Sequence, residues 1–225
     1  LTNANNPNYD ITFVGANFGI TQRPITLTAS SGQAKIYGNT DPSLTYAIEA
    51  AGTDRGRVGS DTFAGSLARA AGENVASYAI TQGGLTNANN PNYDITFVGA
   101  NFAITARPIA VAAPVINKVY DGGYTYEFTP ADLLALNSQL VRNDAFTAAK
   151  AVFSGNNANV GNNKVILIDP ASVAINDGNG GSNYLVSSVN SKGNIAPATL
   201  LITAANDAKF SVEPDKVANT SASAA

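Results

Sequence analysis

Residues 1–25 return almost unchanged at 85–109. The two stretches, LTNANNPNYDITFVGANFGITQRPI and LTNANNPNYDITFVGANFAITARPI, agree at 23 of 25 positions and differ only at Gly19/Ala103 and Gln22/Ala106. A fixed offset of 84 residues, the length of one small domain, marks tandem modules. The first copy lacks the 60 residues that precede the second. We therefore expect the chain to begin inside a module and the natural protein to be longer.

Module starts give a second ruler. Pro24-Ile25-Thr26-Leu27-Thr28-Ala29 is followed by Ala34-Lys35-Ile36-Tyr37-Gly38. Pro108-Ile109-Ala110-Val111-Ala112 is followed by Asn117-Lys118-Val119-Tyr120-Asp121-Gly122. Each joins a proline and an alternating apolar run to a Lys-x-Tyr and a glycine turn. A third start, Pro197 to Ala204, precedes Ala208-Lys209-Phe210. These spacings divide the chain into the tail of one module (1–24), two whole modules (25–107 and 108–203) and the start of a further one (204–225). The last is expected to be truncated and partly disordered.

Charged residues make up only 13% of the 225-residue chain, about half the usual share. Solubility then falls to neutral polar groups, of which the 27 asparagines are the most numerous kind. Net charge is −3 and there is no Lys/Arg run. A nucleic-acid partner is not expected, because phosphate neutralisation needs a basic surface. Cys, His, Met and Trp are absent. That removes disulfides and thiol chemistry, the Ser-His-Asp and Cys-His constellations and the usual zinc ligands. No run of about 18 apolar residues is present, so no membrane insertion is expected of this segment.

The apolar pattern alternates, as on strands. Tyr93-Asp94-Ile95-Thr96-Phe97-Val98 and Asn101-Phe102-Ala103-Ile104-Thr105 alternate about Gly99-Ala100, which predicts a hairpin turn. Leu44 to Ile48, Val75 to Thr81 and Tyr184 to Val189 alternate likewise. Lys164-Val165-Ile166-Leu167-Ile168 suits a strand covered on both faces. Turns are predicted at Gly38-Asn39-Thr40-Asp41-Pro42, Asp121-Gly122-Gly123, Ser154-Gly155-Asn156-Asn157 and Asp177 to Gly181, which supply residues tolerant of positive φ. One helix is predicted from Thr129-Pro130-Ala131-Asp132-Leu133-Leu134-Ala135-Leu136, with a cap residue and proline at the first helical position.

Assembled, these residues resemble a known pair of modules. Tyr37-Gly38, Asp41-Pro42-Ser43-Leu44-Thr45-Tyr46, Gly65-Ser66-Leu67, Arg69, Gly72-Glu73-Asn74-Val75, Tyr78-Ala79-Ile80 and Asn92 to Phe97 resemble the MBG (mostly beta, glycine-rich) repeat. Ala76 departs from it where a glycine is expected. Lys118-Val119-Tyr120-Asp121-Gly122, Asn159-Val160-Gly161 and Asn183-Tyr184-Leu185 resemble the YDG module that often follows. The resemblance implies a setting in filamentous-haemagglutinin-like bacterial adhesins exported by two-partner secretion. A chain without cysteine suits such export, since disulfides would hinder threading of an unfolded chain.

Several groups are weighed for chemistry. Asp177-Gly178-Asn179-Gly180-Gly181-Ser182-Asn183 looks like a calcium loop but offers one carboxylate where Ca²⁺ takes six to eight oxygens. A plain turn is favoured, and no metal site is assigned. Glu49, Glu73, Glu127 and Glu213 are the only glutamates. Paired carboxylates can hydrolyse glycosides, but repeat arrays duplicate scaffold rather than catalytic sites. No catalytic or cofactor-binding residue is assigned, and the chain is read as a non-enzyme. Lys118 or Lys164 could form an isopeptide with an asparagine if both sat beside an acid. The Asn-rich stretches 3–8 and 87–92, with Tyr9 and Tyr93, read as solvated turns or as sugar-binding loops. The tyrosines of the Tyr-Gly and Tyr-Asp-Gly motifs read as core caps.

The expectation is therefore all-β. Small antiparallel modules, sandwich-like or grasp-like, with at most one short helix each, would run end to end as an elongated rod. Short linkers are expected at Arg23-Pro24 and Arg107-Pro108. The functional expectation is a stalk or spacer of a secreted adhesin at the bacterial cell surface, supporting attachment or biofilm. The alternative is that the modules themselves bind polysaccharide or a host-surface glycan. Neighbouring modules are the expected partners, and this stretch alone is expected to be monomeric.

Overall fold

The computed structural model describes residues 2–204 and 220–224. The chain packs as two compact units. The first comprises residues 1–34, 41–72 and 77–103, and the second comprises 35–40, 73–76 and 104–225. The expected further start at Ala208-Lys209-Phe210, and Glu213 with it, lie outside the described residues. Only one α-helix occurs among the described residues, and no helix there is long and apolar enough to cross a membrane.

Seven strands come first: β1 (Arg23–Ala29), β2 (Gln33–Ile36), β3 (Tyr46–Ile48), β4 (Ala68–Arg69), β5 (Ala76–Thr81), β6 (Tyr93–Val98) and β7 (Asn101–Thr105). They form a three-stranded sheet in the order β3-β1-β6 and a four-stranded sheet in the order β2-β7-β5-β4. The expected hairpin about Gly99-Ala100 does not form. β6 and β7 are strands, but they belong to different sheets, and Gly99-Ala100 carries the chain from one to the other. The partner of β6 is β1, in a parallel register from Arg23↔Tyr93 to Thr28↔Val98. The core of the first unit is built on Ile25, Leu27, Leu85 and Phe102, all fully buried.

Then follow β8 (Arg107–Ala112), β9 (Asn117–Val119), β10 (Thr125–Glu127), α1 (Pro130–Leu136), β11 (Ala145–Ala148), β12 (Lys150–Phe153), β13 (Gly161–Ile168), β14 (Ala174–Asn176), β15 (Tyr184–Val189), β16 (Ser191–Ala196), β17 (Leu200–Ala204) and β18 (Thr220–Ala224). The main sheet of the second unit has the order β10-β12-β13-β16-β9. β8 and β15 pair in parallel, as β1 and β6 do. Strand pairing is thus mixed rather than purely antiparallel. The chain between such partners is long enough for the crossover that a parallel pair requires. β13 is not covered on both faces as its apolar run suggested. Ile166 and Ile168 are buried while Val165 is 39% exposed, the alternation of a strand with one face on the core.

Arg23-Pro24 and Arg107-Pro108 are not linkers. They open β1 and β8, and Ala106 alone separates β7 from β8. The predicted helix forms with a full capping box. Asp132 N–H donates to Thr129 Oγ1, and Asp132 Oδ2 accepts from the Thr129 N–H at 2.9 Å. Left-handed φ values occur at Gly38, Gly122, Gly155, Gly178, Gly180 and Gly181, in each of the four predicted turns.

Arg69 shows how motif residues hold the first unit. Its Nε and Nη2 fork onto Asp41 at 2.6 and 3.1 Å, and Nη1 donates to the Gly72 carbonyl at 2.6 Å. The guanidinium lies 5.2 Å from the Tyr78 ring centroid and 5.3 Å from that of Phe102. A lysine keeps the charge and loses both the fork and the planar stacking surface. Arg69→Lys is expected to lower stability by about 1 kcal/mol, because the buried guanidinium loses its fork while its partner Asp41 stays exposed and solvent-screened. The shift of the urea unfolding midpoint at constant slope measures this.

Candidate functional site

A group of polar contacts in the second unit surrounds two tyrosines. Tyr184 stands at the head of β15, fixed by the parallel register Tyr184↔Arg107. Tyr37 follows β2 and precedes Gly38, whose φ is +80°. Both rings are buried, and they meet edge-on with centroids 5.4 Å apart. A buried tyrosine must still place its hydroxyl. Both hydroxyls donate to one oxygen, Asp144 Oδ2, at 2.6 Å from Tyr184 and 2.9 Å from Tyr37.

Asp144 is delivered by a tight turn over Val141, Arg142, Asn143 and Asp144. The Asp144 N–H donates to the Val141 carbonyl at 3.1 Å. Arg142 and Asn143 both have left-handed φ, 59° and 64°. Such backbone carries strain in non-glycine residues and persists only where its surroundings over-determine it. Here the Val141 N–H donates to the Tyr184 hydroxyl oxygen at 3.0 Å, so one tyrosine ties both ends of the turn. A Cβ on Gly38 would overlap the Val141 side chain, and this close approach reserves the position for glycine.

A second contact lies beside the first. Asn183 is fully buried. Its Oδ1 accepts from the Val75 N–H at 2.8 Å, and its Nδ2 donates to Asn74 Oδ1 at 3.1 Å. Glu73 accepts from Lys35 Nζ at 2.6 Å and pairs with Arg142 at 3.5 Å. Tyr37-Gly38 and Glu73-Asn74-Val75, motif residues from the first half of the chain, are thus spent on Val141–Asp144 and Asn183. The arrangement binds protein to protein. It presents no nucleophile beside a base.

Burial raises the Tyr37 phenol from its ordinary 10.0 to about 12, and the hydrogen bond and charge of Asp144 add to this. Tyr184 is raised for the same leading reasons. Burial pushes the Asp177 carboxyl up, but the N–H groups of Gly181, Asn183 and Asn179 outweigh it, and the net shift is downward.

The structure places the other weighed groups plainly. Asp177 is a loop organiser: Oδ1 accepts from Asn179 N and Gly181 N, both at 2.8 Å, and Oδ2 from Asn183 N at 2.9 Å. No cluster of three potential metal ligands occurs among the described residues. Glu49 pairs with Arg55, whose hydrogen bond is the main cause holding it down at about 2, and Glu127 pairs with Lys150. Lys118 sits 2.6 Å from Asp121 Oδ1, and Lys164 donates to the Asn159 carbonyl. The 87–92 loop is solvated at Ala88, Asn89, Pro91 and Asn92 and anchored by its other asparagines. Asn90 is buried and bonds Ala64 through both amide atoms, and Asn87 accepts from the Ile95 N–H at 2.9 Å. Tyr93 is also buried, its hydroxyl donating to Asp61 at 2.6 Å. Tyr120 is 44% exposed and lines a cleft of about 470 Å³ with Val160 and Leu200.

Val141, Arg142 and Asp144 carried no expectation from the sequence. A signal was present: Val58-Gly59-Ser60-Asp61-Thr62-Phe63 and Val141-Arg142-Asn143-Asp144-Ala145-Phe146 share Val, Asp and Phe at the same spacing.

The fold stabilises the neutral tyrosines, so their contribution is present below pH 10 and is lost as pH rises from 10 through 12. Absorbance titration at 295 nm should show Tyr37 ionising near 12, and Asp144→Asn should move that step toward 10. Asp144→Asn should also cost about 1–3 kcal/mol at pH 7, the worth of hydrogen bonds to a charged acceptor. An unchanged tyrosine titration would mean that the carboxylate does not hold these phenols.

Two family models match this chain. One, described as MBG domain (YGX type), matches residues 25–103, and the other, described as YDG domain, matches residues 105–191. No curated protein and no solved structure gives a significant match.

Proposed function

We propose that this chain, which belongs to the MBG and YDG families as one domain of each in tandem, is a stalk segment of a large secreted bacterial surface adhesin. Its modules hold an adhesive part of the parent protein away from the cell and support attachment or biofilm formation. The observation that carries this reading is the use made of the motif residues. Tyr37, Gly38, Glu73 and Asn74 meet Asp144, Val141, Arg142 and Asn183, so what most distinguishes the modules is spent on joining them. Repeat arrays depend on such neighbour terms. The absence of His and Cys from the sequence agrees with a non-catalytic role.

A second reading rests on Tyr120. An exposed aromatic face beside a polar rim is a common way to hold a sugar, and the cleft at Tyr120 and Asp121 is open. Tyr93 does not contribute to such a surface, because its ring is buried and its hydroxyl committed.

The deciding measurement is binding of the folded chain to a panel of bacterial and host polysaccharides. The stalk reading expects no saturable binding. Saturable binding that Tyr120→Ala abolishes, with unfolding unchanged, would replace it with the adhesive reading. Surface exposure is tested by labelling intact producer cells with an antibody to this chain, and labelling only after permeabilisation would sink the surface assignment.

A further inference from the structure

The tyrosine–aspartate construction of the second unit has a half-filled twin in the first. Tyr93 heads β6 as Tyr184 heads β15, and each faces an arginine across a parallel pair: Arg23 for Tyr93, Arg107 for Tyr184. The Val58 N–H donates to the Tyr93 hydroxyl oxygen at 3.1 Å, and that hydroxyl donates to Asp61 Oδ2 at 2.6 Å. The matching distances at Val141, Tyr184 and Asp144 are 3.0 and 2.6 Å. The turns agree as well: the Asp61 N–H reaches the Val58 carbonyl at 3.1 Å, as Asp144 reaches Val141, and Gly59 is left-handed where Arg142 is.

The occupants differ. Asp144 receives two tyrosine hydroxyls and is half-buried, whereas Asp61 receives one and is exposed. Asn183 is fully buried on the Asn74-Val75 segment. Its counterpart Asn92 carries the same strand-opening bond, Arg23 N–H to the Asn92 carbonyl at 3.0 Å, yet its side chain is exposed. Asp61, Phe63, Asn92 and Tyr93 line an open cleft of about 410 Å³.

We infer that this cleft in the first unit is a docking socket for the Tyr-Gly turn and Glu-Asn-Val segment of an MBG module standing directly before residue 24. The incoming tyrosine hydroxyl bonds Asp61, and its ring meets Phe63, which packs with its centroid 5.0 Å from that of Tyr93. The incoming backbone N–H and asparagine bond Asn92. Glycine after the tyrosine lets the turn approach Val58, as Gly38 approaches Val141. Two observations fix the occupant: residues 35–40 and 73–76 fill the equivalent socket in the second unit, and residues 1–23 repeat the sequence of the last strands of an MBG module. One joining rule then serves MBG-to-MBG and MBG-to-YDG junctions alike. It stands on geometry whether or not the parent protein is an adhesin.

The test joins a second copy of residues 24–84 ahead of Leu1 in the full chain, which restores the repeat without a seam. Hydrogen exchange by mass spectrometry is followed over residues 58–64 and 90–93. The expected result is about tenfold slower exchange in both segments than in the original chain. Tyr37→Phe in the added copy alone should abolish most of that protection, while the added strands stay protected. Unchanged exchange at 58–64 and 90–93 with the added module folded would overturn the proposal. Protection that instead grows with concentration in the original chain would also overturn it, by showing that a second copy fills the cleft.

Discussion

Parallel pairing of the first strand of each module with a strand near its end is the constraint from which the rest follows. β1 meets β6 from Arg23↔Tyr93 onward, and β8 meets β15 from Tyr184↔Arg107 onward. Partners so distant in sequence meet only after the intervening chain has been organised, and that loop closure is an entropic cost. In return, the pair fixes where a tyrosine stands. Tyr93 and Tyr184 each begin the later strand opposite an arginine, and the hydroxyl of each closes a Val-x-x-Asp turn. The register of one pair of strands therefore sets the geometry of the junction.

At that junction the second unit combines several modest interactions in little space. Two phenols share one carboxylate oxygen, an asparagine bonds a passing segment through both amide atoms, and a buried lysine and an arginine meet one glutamate. No buried side-chain polar atom among the described residues lacks a partner. In a chain so poor in charge and without disulfides, satisfied polar networks of this kind specify one arrangement among many apolar alternatives.

Much of the fold was legible. Alternation located the strands because one face of each meets the core, and the Thr129 cap with the proline after it located α1 because such signals are local. Glycine positions located the turns. What failed was pairing. Gly99-Ala100 looked like a hairpin turn because two alternating runs flank it, yet the flanking strands entered different sheets. Arg-Pro looked like a linker because proline often marks one, yet both pairs open strands. The site was half legible: Tyr37, Glu73 and Asn74 stood in recognised motifs, while Asp144 and Val141 stood in none. Their partners are separated from them by 107 residues in the case of Tyr37 and Asp144, and no local pattern reports that.

The duplicated segment separates the two kinds of information. In both copies the first asparagine side chain brackets the loop in the same way: Asn3 accepts from the Ile11 N–H at 3.0 Å, and Asn87 from the Ile95 N–H at 2.9 Å. That bracket spans eight residues and was written in the sequence. The strands were not. Tyr93, Phe102 and Ile104 lie buried in β6 and β7, whereas the matching Tyr9, Phe18 and Ile20 are 73%, 91% and 90% exposed in a stretch with no strand. Sequence determined the repeat offset, the alternation and the local brackets. Tertiary structure decided which copy became a strand, because β6 is held by β1, and a strand exists only where a partner supplies its hydrogen bonds and a core covers its face.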